Sequence, residues 1–172
     1  FEVPSDPGRT YFRNAGESKH TGWEASADWV LVPGLSTRIA YTRVDAVFTA
    51  FTVDGTDYAG NNIPGLAPNR VDGLLGFERG LFFADARAIW QDDIPVNDAN
   101  TATSPSYVVV DLNVGLRQAR VGRFSMEPFV GVANLFDETY VASVIPNAFG
   151  GRFFEPGPPR TLRFGVGVNW GG

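Results

Sequence analysis

The chain has 172 residues, 44% of them hydrophobic and 19% charged, with a net charge of −5 and no cysteine. No stretch approaches the roughly 20 consecutive apolar residues that a spanning helix needs, so a transmembrane α-helix is excluded. Interspersed acidic and basic residues argue against a nucleic-acid surface, and the lack of cysteine removes disulfide frameworks and thiolate metal sites.

In chain order, seven segments read as strands: 9–32, 35–51, 70–79, 81–91, 106–118, 123–136 and 160–170. Their apolar residues recur with a period of two, which is the signature of a strand with two unlike faces. In the first, Trp23, Ala25, Ala27, Trp29 and Leu31 alternate with Glu24, Ser26 and Asp28. In the fourth, Phe82, Ala84, Ala86, Ala88 and Trp90 alternate with Asp85 and Arg87. In the last, Leu162, Phe164, Val166, Val168 and Trp170 share one face, and Thr161, Arg163, Gly165, Gly167 and Asn169 share the other. Charges thus sit opposite the aromatics. A basic residue on a lipid-facing position at the bilayer midplane costs about 2–4 kcal/mol, and this sorting is what insertion would impose. Trp170, Phe124, Trp90 and Tyr107 fall at strand ends, where aromatic girdles belong.

The connections carry a second signal. Segments 33–34, 79–80 and 119–122 are tight turns, whereas 52–69, 92–105 and 137–159 are long and rich in Gly, Pro, Asn and Asp. Short and long connections alternate strictly, so one rim has brief turns and the other large loops, as in bacterial outer-membrane barrels. A soluble sandwich has no reason to sort its loops onto one end. The expected fold is therefore all-β: an antiparallel up-and-down transmembrane β-barrel segment.

Seven strands and the stub at Phe1 to Val3 do not make the eight of the smallest such barrels. An open edge in lipid leaves backbone groups unpaired, so the chain is not expected to close by itself. A first strand of 24 residues at about 3.3 Å each spans ~80 Å, far more than a hydrocarbon band of about 25 Å demands. Such strands belong to tall, wide barrels, whose lumen is a channel or is plugged. The chain opens on Phe-Glu-Val-Pro without methionine or leader, and it is expected to be part of a longer protein with its secretion signal upstream.

Five spaced segments carry a family resemblance. Asn134-Leu135-Phe136-Asp137-Glu138-Thr139-Tyr140 resembles the "NLFD..Y" signature near the C-terminus of TonB-dependent outer-membrane receptors. Tyr11-Phe12-Arg13-Asn14-Ala15-Gly16 with Gly22-Trp23-Glu24 resembles their "Y.NAG.....G.E" strand, and Pro64-Gly65-Leu66-Ala67-Pro68-Asn69-Arg70 their proline-containing segment before the next strand. Ser106 to Asp111 resembles "sYt..D", and Glu155-Pro156-Gly157-Pro158-Pro159-Arg160 resembles "P.PgR". Arg163, Gly165, Val168 and Trp170 are similar to the terminal signal read by the barrel assembly machinery, although Gly171-Gly172 extends past the usual terminal aromatic residue.

The resemblance implies a cell outer-membrane location and a 22-stranded barrel, with residues 1–172 as the C-terminal portion of its barrel domain. It implies a plug domain and TonB box supplied by an N-terminal region absent from these residues. It also implies energised uptake of a scarce ligand such as a ferric siderophore, a similar metal chelate or cobalamin. Partners would be the TonB complex, the receptor's own plug, outer-membrane lipid, the assembly machinery and a small-molecule metal chelate. No nucleic acid, enzymatic activity, cofactor or bound metal is expected.

Candidate ligand contacts are the aromatic and cationic groups near the large-loop rim: Tyr58, Tyr107, Tyr140, Phe149, Arg152, Phe153 and Arg160. These suit stacking on, and neutralising, a catecholate, carboxylate or hydroxamate chelate; loop packing is the competing role for each. Glu24, Asp28, Arg38, Asp72, Glu78, Arg87, Asp111, Arg117, Glu127 and Arg163 are expected inside, paired with one another or with the plug. His20 is the single histidine, which argues against a Ser-His-Asp arrangement or a His-based metal site. Asp92, Asp93 and Asp98 share a loop but lack EF-hand spacing. Glycines 165, 167 and 171 do not form a phosphate loop, since no helix follows; they are expected where the interior is crowded or the strand bends. A passive porin or a small-barrel outer-membrane enzyme is the alternative class; the first would lack the five matched segments and the second would be a complete small barrel.

Overall fold

A computed structural model describes residues 16–170. The beginning of the first expected strand, the 11–15 part of the first family motif, the stub at Phe1 to Val3 and Gly171-Gly172 lie outside the described residues. Seven long strands form one antiparallel sheet in chain order. They are β1 Gly16–Val32, β2 Leu35–Val53, β3 Asn69–Arg79, β4 Phe82–Gln91, β5 Tyr107–Leu116, β6 Phe124–Ala133 and β7 Thr161–Trp170. The sheet is open, with β1 at one end and β7 at the other.

Register shows that the two-faced pattern holds across all seven strands. Trp90 lies opposite Val71 and Val108, and Ala86 opposite Leu75 and Leu112. Val132 lies opposite Leu112 and Leu162, and Val130 opposite Val114 and Phe164. The other face lines up Arg38 with Asp28, Leu74 with Arg87, and Arg87 with Asp111. On the apolar face Phe164 is 87% and Leu162 73% exposed. Among the described residues no second layer covers them, as an oily face awaiting acyl chains requires. The few buried apolar side chains, Ala46, Ile94, Val96 and Val109, lie on the loop side or beneath it rather than between layers.

Outward aromatics gather near both rims. Trp23 meets Tyr41 edge-on at 4.8 Å, with Trp90 in a neighbouring row, while Phe124 pairs with Trp170 at the turn end. From Phe82 to Trp90 the strand advances about 26 Å at ~3.3 Å per residue, close to the height of an apolar barrel band. Tyr107 is a correction to the girdle expectation. Its partner Gln91 belongs to the charged face, so Tyr107 faces the interior.

Two strand ends fall short of their expected limits. Asn134 and Asp137 adopt positive φ of 51° and 57°, which stops β6 at Ala133 instead of 136. Gln118, at φ 52°, interrupts β5, and residues Ala119–Val121 then resume pairing with β6. A bulge at 117–118 therefore precedes the expected 119–122 turn, residues 119–121 of which are strand, and the true reversal is at Gly122 and Arg123. Conversely β2 runs two residues past 51, to Val53. The hairpin of β1 and β2 stands well above β3, whose pairing with β2 ends at Arg43 and Asn69. The following loop lies back along this tall edge of β2, where Phe48 N–H donates to Asn61 O, Ile63 N–H to Ala46 O and Val44 N–H to Pro68 O. Edge donors that would otherwise need a partner are thereby satisfied.

The long connections are more ordered than their composition implies. Thr56–Asp57 pairs with the end of β2, Ile94–Pro95 with Thr103–Ser104, and Val141–Val144 with Phe154–Pro156.

Candidate functional site

The inner face of the sheet, just below the long loops, presents the densest cluster of polar and aromatic groups. Parity puts Arg70, Gln91, Tyr107 and Asp111 on that face. Tyr140, from the loop after β6, folds down so that its ring lies 4.8 Å from that of Tyr107. Gly157 makes room for this ring: a Cβ there would collide with it. Burial pushes the Tyr140 phenol above its ordinary range, and the neighbouring Tyr107 and Asp111 add to the effect. A cavity of about 330 Å³ lies beside the pair, lined by Arg70, Ile89, Asp111 and Asn134. A second, of about 200 Å³, lies on its other flank against Pro105, Val141 and Phe154.

The "NLFD" segment builds the floor of this site. Asn134, 2% exposed, accepts the Glu138 N–H at 2.8 Å and donates to the carbonyls of Glu138 at 2.8 Å and Pro158 at 3.1 Å. Its own N–H donates to the Asp111 carboxylate at 2.8 Å. Asp137 accepts the Arg160 N–H at 2.9 Å. Entry and exit of the 137–159 loop are thus clamped to each other and to β5 by side chains whose short length suits backbone mimicry.

Below the cavity the inner charges pair in a lattice. Asp72 bridges Arg87 and Arg70, at 2.5 and 3.9 Å. Glu78 meets Arg117 at 2.9 Å, and Asp28 meets Arg38. The Arg117 guanidinium also lies 4.8 Å over the Phe83 ring. All are at least 30% exposed, so each contributes less than about 1 kcal/mol. They keep the inner wall wet and internally neutralised. Arg163 donates to Asn113 at 3.4 Å. Gly165 lies against the Phe129 ring, where a Cβ would come within 2.6 Å, the crowding that the strand glycines lead one to expect. Val168 and Trp170 face outward.

Of the expected ligand contacts, the structure brings Tyr107 and Tyr140 together and adds Arg70, which parity alone would have placed beside them. Tyr58 packs instead on Phe51 at 6.0 Å, which stacks on Phe48 at 4.5 Å. Phe149, 98% exposed, and Arg152 stand at the tip of the 137–159 loop, and Phe153 packs edge-on against Phe154 at 5.9 Å. Arg160 is tied to Asp137 at the loop base, its guanidinium 4.0 Å from the carboxylate. Asp92 and Asp93 accept from Asn69 and from Ser106 N–H, and among the described residues no cluster suited to a metal ion forms.

A family model described as TonB dependent receptor-like, beta-barrel, matches residues 1–135. Among solved structures, the ferric citrate transporter FecA in its unliganded form is 21% identical with a TM-score of 0.74, over 89% of this chain and 24% of that one. The siderophore receptor PiuA from Acinetobacter baumannii is 21% identical with a TM-score of 0.72, over 90% and 22%. The ferric yersiniabactin uptake receptor FyuA from Yersinia pestis is 24% identical with a TM-score of 0.71, over 89% and 24%. At these identities the likeness is one of fold. The chain spans about a quarter of the length of the structures it matches.

Proposed function

We propose, given that the chain belongs to the TonB-dependent receptor β-barrel family of the bacterial outer membrane, that it forms the C-terminal part of the wall and mouth of an active transporter for a ferric siderophore or similar metal chelate. The family match carries the transporter reading, the ferric receptors among the similar structures suggest the cargo class, and the sheet fits both: one oily face, one wet face with paired charges and a rim of large loops. Residues 1–172 would complete a 22-stranded barrel whose plug and TonB-contacting segment lie elsewhere in the whole protein. Energy would arrive through TonB, as membership of a TonB-dependent receptor family implies.

In this reading cargo settles at the loop-side end of the inner wall. Tyr107 and Tyr140 offer planar faces for an aromatic or conjugated chelating group, and Arg70 offers a cation to its oxygen atoms. Phe149, Arg152 and Phe153 would meet it earlier, at the mouth; Tyr58 and Arg160 would shape the rim. Arg163, Gly165, Val168 and Trp170 would serve assembly of the barrel.

The test is uptake of radiolabelled ferric citrate and of a ferric catecholate by cells with and without the intact gene, with and without the proton gradient. Accumulation that needs both the gene and the gradient is the expected result. Gene-dependent entry that persists after the gradient is collapsed would make the protein a passive pore.

A further inference from the structure

The long loops touch one another, and the middle one holds the other two. Residues 92–105 carry the small ladder of Ile94–Pro95 with Thr103–Ser104, around which Val96 and Ser104 are almost fully buried. Asn100 sits there in the left-handed region, at φ 52°, a conformation asparagine adopts more readily than most residues. That geometry turns its amide toward the preceding long loop. Its Oδ1 accepts the Asn62 N–H at 2.7 Å, and its Nδ2 donates to the Asn62 carbonyl at 2.9 Å and to Asn97 O at 3.0 Å. The side chain thereby imitates one rung of an antiparallel ladder. Gly65 N–H to Pro95 O and Asn61 Nδ2 to Asp98 O, both 2.8 Å, strengthen the same seam.

Asn147, also left-handed at φ 56°, makes the matching contact from the last long loop. Its Oδ1 accepts the Asp98 N–H at 3.0 Å and its own N–H donates to Val96 O at 2.9 Å. Two residues earlier, Ile145 N–H donates to Phe153 O at 2.8 Å, so the seam continues into the hairpin that bears Phe149 and Arg152.

From this we infer that Asn100 and Asn147 are positioning residues that join the three long loops of this sector into one body, so that the 149–153 tip does not open independently of segment 58–66. The inference deepens, and rests on, the reading of these loops as the cargo-facing rim. An independent lid is drawn from segments with few contacts to their neighbours. Here the loops share backbone hydrogen bonds, and lifting one alone leaves donors and acceptors of the next without partners.

Amide hydrogen exchange on the intact receptor in lipid vesicles tests it. Asn100→Ala is expected to speed exchange about tenfold, the equivalent of one or so net hydrogen bonds, at Asn62 and also across 145–147, which Asn100 does not touch. Asn147→Ala is expected to speed exchange at Asn62 reciprocally, as coupled sites must. Asn100→Asp keeps the acceptor for Asn62 N–H but turns a carboxylate oxygen toward the Asn62 and Asn97 carbonyls that the amide donates to, so it is expected to protect 145–147 no better than Asn100→Ala. Changes confined to the mutated loop and its direct partner, with strand amides unaltered, would overturn the inference. The measurement needs no cargo, so it fails or succeeds separately from the transport assay.

Discussion

Asn134 illustrates how a family signature residue can be structural. Its side chain is nearly sealed from solvent and makes three hydrogen bonds to backbone groups of residues 138 and 158. Replacing it with alanine orphans those groups, at a cost of about 1–3 kcal/mol for a buried unsatisfied polar group. Asn134→Ala should therefore lower the unfolding free energy of the intact receptor by about 2–4 kcal/mol, read as a shift of the urea midpoint in vesicles. Asn134→Gly should be milder by about 1 kcal/mol, because glycine relieves the left-handed strain that alanine would suffer. Equal effects of the two would show that backbone conformation does not matter at this position. Tyr140 offers a second check outside the membrane span. Burial raises its pKa in the folded state, so the folded chain favours the neutral phenol. The associated stability is present below the ordinary tyrosine range and is lost as pH climbs through the raised value. Subtracting the phenolate absorbance of Tyr140→Phe from that of the parent should leave a tyrosine that ionises later than an exposed one. The sequence marks both residues as candidates, through a motif and a rim position. It does not reveal their partners, because Pro158 and Gly157 reach them only once a loop of more than twenty residues has closed.

The strands were legible because a two-faced strand in lipid leaves little choice of parity. Each lipid-facing position must be apolar, and cross-strand pairing then propagates one assignment through the entire sheet. Ile39 and Ala40, neighbours on β2, test this directly. Ile39 lies on the outward face opposite Ala27 and Gly73, whereas Ala40 lies on the inner face opposite Ser26 and Asp72. Ile39→Arg should cost about 2–4 kcal/mol in vesicle-based unfolding, while Ala40→Arg, beside the Asp72 carboxylate, should cost about 1 kcal/mol or less. A reversed order would mean that the faces are misassigned. What composition concealed were the short features. Gln118 creates a bulge with one residue of positive φ, and the loop ladders at 94–95 with 103–104 and 141–144 with 154–156 are too brief for alternation to show. The left-handed asparagines 100 and 147 look in sequence like ordinary polar loop residues, yet they set how the loops meet.

At the scale of the molecule, the open sheet is the decisive feature. Among the described residues, β1 has no partner along one side of its 17 residues and β7 none along one side of its 10. In water such edges hydrogen-bond to solvent; in the hydrocarbon layer each unpaired N–H or C=O costs several kcal/mol. Curling seven strands round to join β1 to β7 offers no escape, since a barrel narrower than eight strands leaves no room for the side chains on its inner face. That face already carries Phe83, Phe129, Tyr107 and a lattice of arginines and carboxylates. The segment refolded alone with lipid vesicles is therefore expected to give no single-channel conductance and no shift between heated and unheated gel mobility, whereas the intact receptor should give the mobility shift. Supplying the rest of the barrel as a separate chain is expected to restore that shift, because only then do both edges find strands. Stable, discrete conductance from the segment alone would mean that these strands close on themselves, and the wide-barrel reading would fall with it.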